Sequence, residues 1–80
     1  MSLSIRDLEV NTKGKVAGYA KGAKPYLAKL LAMGLTKGSE FTVIRVAPLG
    51  DPIEISLRGF SLSLRKSEAE VLLVEKEVEQ

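Results

Sequence analysis

The alternation of apolar and polar residues on either side of Gly59 is the feature of this sequence that most constrains its fold. Apolar side chains occupy every second position before the glycine and every second position after it, but their parity reverses there. A two-residue turn at Arg58 and Gly59 produces such a reversal and places all the apolar side chains on one face of a β-hairpin. The alternative is a bulge at Gly59 within one long bent strand. The pairs predicted for the hairpin are Leu57 with Phe60, Ile55 with Leu62, and Ile53 with Leu64.

Three further segments are predicted to form short strands. Residues 15–19 alternate in polarity and lie between Gly14 and the region of Gly22. Residues 40–47 are rich in β-branched and aromatic side chains, and residues 71–74 form a last apolar run. We expect the strand at 40–47 to be covered on both faces. The strand positions of Phe41 and Phe60 predict that both are core residues.

Helical structure is predicted in one longer segment and two single turns. Pro25 suits the first position of a helix and Gly34 its C-terminal stop. Capping-box spacing predicts one turn from Ser4, acting as a lid or plug, and another at residues 67–70. The helix at 25–34 carries a single charge, at Lys29, and its large side chains cover most of its circumference, so that one buried face cannot hold them all. These side chains are Tyr26, Leu27, Leu30, Leu31 and Met33.

The order of these elements predicts the fold class. About five short strands with one helix inserted between the first and the second leave few ways to protect strand edges except by curling the sheet. We therefore expect a mainly β fold, a small SH3-like β-barrel, and one domain spanning residues 1–80, because 80 residues leave no room for a second core.

The segment Pro48-Leu49-Gly50-Asp51-Pro52 is predicted to be a loop, because proline and glycine interrupt both strands and helices. Leu49 at its centre is apolar and is expected to be covered, by the protein itself or by a partner. Backbone requirements of turns, more than contacts, explain several small or rigid residues. These are Gly34, Gly38, Gly50, Pro52 and Gly59.

Composition excludes most catalytic chemistry. The chain has neither cysteine nor histidine, so thiolate or imidazole metal ligands, cysteine nucleophiles and histidine bases are absent. Ser61 and Ser63 have no histidine to activate them, and Asp51 and Glu54 lack a partner acid. The sequence indicates a protein that is not an enzyme and has no cofactor or metal site. Because no export signal and no apolar stretch of ~20 residues is present, we expect a cytoplasmic protein.

Three kinds of binding partner remain. The apolar helix at 25–34 and the loop at Leu49 favour a protein partner. A nucleic acid is the alternative, since residues 13–37 contain six lysines and no acid, although the net charge is only +2. A solvated lysine face is also consistent with this pattern, and a homo-oligomer would satisfy the apolar surface with a second copy. The lysines are Lys13, Lys15, Lys21, Lys24, Lys29 and Lys37.

Four segments in combination resemble the bacterial FeoA family: residues 30–39, ending in Met-Gly-Leu-Thr-Lys-Gly-Ser; residues 41–52, with Ala-Pro-Leu-Gly-Asp-Pro; residues 62–66; and residues 68–69. The resemblance implies a small cytoplasmic SH3-like component of ferrous iron transport that works with FeoB, a membrane protein with a cytosolic GTP-binding domain. Similar domains occur at the C-terminus of iron-dependent repressors, where a DNA-binding helix pair precedes them; this chain is expected to act without one.

The resemblance implies transition metal binding at the level of the family, but the lack of imidazole and thiolate ligands predicts that this protein does not carry iron. It is instead expected to dock on the cytosolic part of FeoB and shift the transporter between states. Docking would recruit it from the cytoplasm to the inner face of the plasma membrane. The residues predicted to bind FeoB are Lys24 and Lys29 for steering, Tyr26, Leu27, Leu31 and Met33 for apolar contact, and Leu49 as a second anchor.

Overall fold

Six antiparallel strands form one sheet in the order β1-β6-β2-β3-β4-β5. The structure, a computed structural model, describes residues 3–77. Its elements are β1 (Leu3–Ser4), a 3-10 turn (Ile5–Asp7), β2 (Lys13–Tyr19), α1 (Lys24–Ala32), β3 (Glu40–Val46), β4 (Ile53–Leu57), β5 (Phe60–Leu64), α2 (Lys66–Glu70) and β6 (Leu72–Lys76). The predicted mainly β class is confirmed, with α1 between the first two of the predicted strands. The prediction missed the two-residue β1, and the sheet does not close, since β1 and β5 remain its two ends.

The β4–β5 hairpin has the register predicted from the parity reversal. Leu57 pairs with Phe60, Ile55 with Leu62, and Ile53 with Leu64, so the alternative of one bent strand is wrong. Arg58 and Gly59 both have positive φ angles, 52° and 84°, as such a tight turn requires.

Two predictions about burial are wrong. Phe60 is 72% exposed, because it lies at the tip of the hairpin on an end strand, beyond the reach of the core; Phe41 is buried as predicted. β3 is not covered on both faces: Phe41 and Val43 are buried, whereas Ile44 and Arg45 are exposed. Ile44 faces outward because it alternates with Val43, and the register shift between Val43 and Arg45 also turns Arg45 out of the core.

The core is a single apolar cluster to which every long strand contributes. The predicted N-terminal turn closes one side of it. Ser4 Oγ accepts a hydrogen bond from the Arg6 N–H, and Asp7 accepts one from the Ser4 N–H, each at 3.1 Å, which confirms the capping box. This turn inserts Ile5, which is fully buried. The buried members of the cluster are Ile5, Leu8, Val16, Leu30, Leu35, Phe41, Val43, Ile53, Ile55, Leu57, Leu64, Ala69, Leu72 and Val74.

α1 ends in a Schellman motif that returns the chain to the core. The Leu35 N–H donates to the Leu30 carbonyl and the Gly34 N–H to the Leu31 carbonyl, both at 3.0 Å. Gly34 has a φ of 90°, a conformation that side chains with a Cβ rarely adopt. The Tyr19 hydroxyl fixes this turn from β2 by donating to the Leu35 carbonyl at 2.5 Å. None of the helices within residues 3–77 has the length and apolar character needed to cross a membrane.

Close packing at Gly14 gives a prediction about stability. A Cβ at this position in β2 would lie 2.9 Å from both the Glu75 carbonyl oxygen and the Phe41 ring. Gly14→Ala is therefore expected to lower the free energy of unfolding by about 1–3 kcal/mol, because backbone and core must move to admit one methyl group. Urea unfolding of the variant and the parent measures the difference.

Gly18 provides the matched control on the same strand. A Cβ there meets no atom within 4 Å, and its φ is not in the left-handed region. Gly18→Ala is expected to leave stability unchanged or to raise it by up to about 1 kcal/mol, by restricting the unfolded chain. Equal stabilities of the two variants would contradict the close packing described for Gly14.

Candidate protein-binding surface

α1 divides its large side chains between the core and the exterior. Leu30 is fully buried, and Tyr26 and Met33 pack partly against the core. Leu31 is 44% exposed and Leu27 is half-buried. The sequence expectation that one face cannot hold all these residues agrees with this division. An apolar strip on α1 is thus left accessible from outside.

The two lysines predicted for steering differ in their surroundings. Lys24 is exposed at the start of α1. The Lys29 ammonium lies 2.5 Å from Glu68 Oε2, and Glu68 is only 3% exposed in α2. Lys29 therefore fastens α1 to α2, and its charge is largely balanced within the protein. Within residues 3–77 no carboxylate lies at salt-bridge distance from Lys24, so its ammonium is available to an approaching anionic surface.

Glu68 stays ionised despite its burial. Desolvation on its own would raise the pKa of its carboxyl group. The hydrogen bond from Lys29, the Arg65 N–H donating at 2.8 Å and the positive charges of both residues outweigh this effect and lower the pKa below its usual value. The sequence predicted a capping box over residues 67–70, but the structure places the N-cap two residues earlier, at Arg65, with Glu68 as the acceptor. The ion pair of Glu68 with Lys29 was not predicted.

The loop at residues 47–52 presents Leu49 to solvent with 90% of its surface exposed. The Gly50 N–H donates to the Ala47 carbonyl at 2.7 Å, and the Ala47 N–H donates to the Pro52 carbonyl at 3.1 Å, so the loop is closed at its base. Asp51 Oδ1 accepts a hydrogen bond of 3.1 Å from the Lys66 N–H and ties the loop to α2. Leu49 is therefore held outward on a braced loop, and nothing in the described chain covers it.

Two grooves connect these elements to the β4–β5 hairpin. The first, called the basic groove, has a volume of about 320 Å³ and brings α1 and the loop to its two sides. The second, called the apolar groove, has a volume of about 340 Å³ and lies between the end of α1 and the hairpin tip. The basic groove is lined by Lys29, Asp51, Pro52, Ser63 and Arg65, and the apolar groove by Ala32, Met33, Gly34, Leu57, Arg58, Phe60, Ser61 and Leu62.

The structure brings three of the seven predicted binding residues to the grooves or to the loop beside them; neither groove is lined by Lys24, Tyr26, Leu27 or Leu31. Lys29 and Met33 line the two grooves, and Leu49 belongs to the loop that borders the basic groove. Phe60 was assigned to the core, yet it is an exposed wall of the apolar groove. Its place next to the turn, at the first position of an end strand, was the signal in the sequence that could have revealed this.

The aromatic residues do not form a platform for stacking bases. Tyr26 and Phe41 contribute to the core, and the Tyr19 hydroxyl is engaged with the Leu35 carbonyl. Phe60 alone among the described aromatic side chains is largely exposed. Single-stranded nucleic acids bind through several stacked aromatic side chains in a basic channel, so the nucleic-acid alternative is not favoured. Residues 3–77 also contain no cluster of three or more acidic residues placed to hold a metal ion.

These features define a small antiparallel β protein with exposed apolar side chains and two surface grooves. The model of the FeoA domain family matches residues 1–76. The chain belongs to the FeoA family, as the sequence resemblance indicated.

Known proteins similar to this chain include a fusion protein and two solved structures. The Fe(2+) transport protein A/Fe(2+) transporter FeoB fusion protein of Porphyromonas gingivalis (strain ATCC BAA-308 / W83) is 33% identical over 55 residues, which cover 69% of this chain but only 6% of the fusion protein. The FeoA-like protein of Clostridium acetobutylicum is 42% identical, with a TM-score of 0.86 over 99% of this chain and 91% of its own.

The FeoA protein of Chlorobium tepidum is 34% identical, with a TM-score of 0.83 over 95% of this chain and 71% of its own. This second solved structure therefore has the same fold as the chain over nearly the same residues. The SH3-like fold predicted from the sequence is thereby confirmed.

Proposed function

We propose that this protein is a cytoplasmic accessory component of bacterial ferrous iron uptake that binds the cytosolic region of FeoB through α1 and the loop at residues 47–52. It acts as a regulator by protein contact and not as an enzyme. The fusion relative supports this assignment, because in that protein an Fe(2+) transport protein A segment and FeoB belong to one chain. Fusion holds two modules at a high effective concentration, which benefits modules that contact each other.

The exposed leucines of α1 and the loop carry the proposal. Leu31 and Leu49 are 44% and 90% exposed, although leucine is among the residues most often buried. Isolated exposed leucines are common, but Leu49 stands on a hydrogen-bonded loop that borders the basic groove, and Leu31 stands on α1, which contributes Lys29 to that groove. Burial of such side chains at the centre of an interface is a main source of binding free energy. Lys24 lies at the start of the same helix, where its charge can steer an acidic surface.

Regulation follows if FeoB changes conformation. A protein that binds two conformations equally cannot shift their populations, whatever its affinity. The proposed regulator must therefore bind one state of the cytosolic region more tightly than the other. Iron is not its cargo in this proposal, since the chain has neither imidazole nor thiolate ligands for ferrous iron.

A pair of charge substitutions tests the docking surface. Leu31→Asp and Leu49→Asp are each expected to weaken binding to detergent-solubilised full-length FeoB by about tenfold or more, because each buries a carboxylate against an apolar partner surface. Binding is followed by the loss of amide signals from the isotope-labelled protein. Because both leucines are exposed, the variants should keep the parent's spectrum and thermal stability.

Val10→Asp is the matched control, since Val10 is 46% exposed and lies before β2, outside α1 and the loop. It is expected to bind FeoB like the parent. Equal weakening by all three substitutions would contradict a localised surface. A titration with RNA in parallel addresses the alternative partner: signal changes in residues 13–37 that decline steeply with salt, with none from FeoB, would replace the proposal.

A further inference from the structure

The outer edge of β5 offers backbone groups that no other strand of the described chain uses. β5 is the last strand of the sheet, and its only partner strand in the described chain is β4. The turn separates Leu57 from Phe60, which are paired residues next to it. In a hairpin with a two-residue turn, the residues next to the turn exchange both backbone hydrogen bonds, and this repeats at every second position. The N–H and C=O groups of Ser61 and Ser63 therefore point away from β4, to the open edge.

Both grooves described above lie along this edge, with α1 as their opposite wall. Phe60, Ser61 and Leu62 face Met33 across the apolar groove, and Ser63 faces Lys29 across the basic groove. The exposed ring of Phe60 stands at the end where the groove is apolar. An extended chain placed along β5 would thus meet an apolar surface at one end and a polar one at the other.

Cations flank the edge at both of its ends. Arg58 precedes β5, and Arg65 and Lys66 follow it; all three are exposed, and within residues 3–77 none lies at salt-bridge distance from a carboxylate, although the charge of Arg65 also acts on Glu68. This arrangement disfavours one symmetric pairing of the edge with a second copy of the protein. Antiparallel pairing of two β5 strands about Leu62 would place Arg58 of one copy opposite Lys66 of the other, and like charges at paired positions are destabilising. An acidic partner avoids this conflict.

We infer that the open edge of β5 binds an extended acidic segment of a partner protein, which adds to the sheet as a further strand. Its backbone pairs with Ser61 and Ser63, an apolar side chain enters the apolar groove beside Phe60, and carboxylates approach Arg58, Arg65 and Lys66. This site goes beyond the proposed function, since it uses a surface other than Leu31 and Leu49 and its chemistry does not depend on FeoB.

A synthetic peptide tests the inference without any transporter. The probe is the capped peptide Asp-Glu-Thr-Val-Thr-Leu-Asp-Glu, titrated to millimolar concentration into the isotope-labelled full chain. The amide signals of Ser61 and Ser63 are expected to shift most. A peptide with proline in place of its second threonine, and one with lysines in place of its acids, are expected to bind about tenfold more weakly, since the first lacks a backbone donor and the second repels the flanking cations.

Substitutions on the protein complete the test. Ser63→Pro removes an outward N–H and no bond to β4, so the fold should persist while peptide affinity decreases about tenfold; Ser63→Ala should bind like the parent. Phe60→Ser, at an exposed position, should weaken binding without unfolding the chain and gives a second check. Absence of any shift, shifts confined to α1 and Leu49, or equal affinity of Ser63→Pro and Ser63→Ala would overturn the inference.

The peptide and FeoB experiments separate the two proposals. Loss of FeoB binding in Leu31→Asp with peptide binding retained supports two distinct surfaces. Peptide binding by a protein that does not bind FeoB would leave the edge site standing and remove the proposed function. An elution volume that decreases with protein concentration, and that Ser63→Pro restores, would assign the edge to a second copy and overturn the acidic peptide.

Discussion

Leu30→Ala is expected to lower the free energy of unfolding by about 2–5 kcal/mol, whereas Leu31→Ala, one position further along α1, should change it by less than about 1 kcal/mol. Leu30 is fully buried and Leu31 is 44% exposed. Truncation of Leu30 removes apolar contacts and leaves a cavity that α1 cannot close, because the Schellman turn anchors its end through the Leu30 carbonyl and Leu35. A domain of this size has only about 4–12 kcal/mol of stability, so the loss is a large fraction of the whole.

Urea unfolding of the two variants under identical conditions measures this difference. Binding to FeoB reverses the order: Leu31→Ala should weaken it, while Leu30→Ala, measured in the folded protein at low temperature, should weaken it much less. The two adjacent residues thus separate a contribution to the core from a contribution to the interface. Equal losses of stability would mean that α1 is rotated from the orientation described here.

The hairpin was predictable because its evidence is local. A side-chain period of two makes every reversal of parity visible in the sequence, and the turn residues Arg58 and Gly59 agree with it. The helix was predictable for the same reason, since Pro25 and Gly34 mark its ends. Burial was harder to predict. Phe60 and Phe41 both satisfy the strand pattern, but only the order of strands in the sheet reveals that Phe60 lies on an end strand.

The candidate site was only partly predictable from the sequence. Leu31 could be named because α1 carries more large apolar side chains than one buried face can hold. Leu49 could be named because it is an apolar residue at the centre of a loop. The pairing of Lys29 with Glu68 joins residues far apart in the chain, and no local pattern specifies it. The grooves depend in the same way on the placement of α1 against β5. Charge patterning indicated a continuous basic stretch, but folding pairs Lys29 with Glu68 and leaves Lys24 exposed on the same helix.

The second large effect is expected from Lys29→Met. Glu68 is 3% exposed, so removal of the Lys29 ammonium leaves a buried carboxylate with only the Arg65 N–H as its close partner. The variant should lose about 1–3 kcal/mol at neutral pH, less than a fully buried pair would, because the Lys29 side chain is itself 60% exposed. The pKa of Glu68 should move upward, since desolvation then outweighs the remaining stabilisation.

The pH dependence identifies the cause. In the parent, the lowered pKa of Glu68 contributes stability that is present above its unfolded-state pKa and is lost as the pH falls through the folded-state pKa. In Lys29→Met the expected rise in the pKa of Glu68 has the opposite effect on stability. The charged carboxylate destabilises the fold at neutral pH, and its protonation in acid removes that cost. The difference between the two proteins should therefore begin to shrink as the pH falls through the raised pKa of Glu68 in the variant, and disappear only below the lowered pKa of Glu68 in the parent, where the carboxyl group is protonated in both.

Denaturant unfolding at a series of pH values measures this convergence, with Lys29→Met/Glu68→Met as the control. Replacing both partners removes the buried carboxylate, so most of the lost stability should return and the pH dependence assigned to Glu68 should disappear. A Lys29→Met deficit that is the same in acid as at neutral pH would show that packing of the lysine chain, and not its charge on Glu68, holds α1 against α2. The same variants titrated with FeoB would then reveal whether Lys29 also contributes to docking once its structural effect is subtracted.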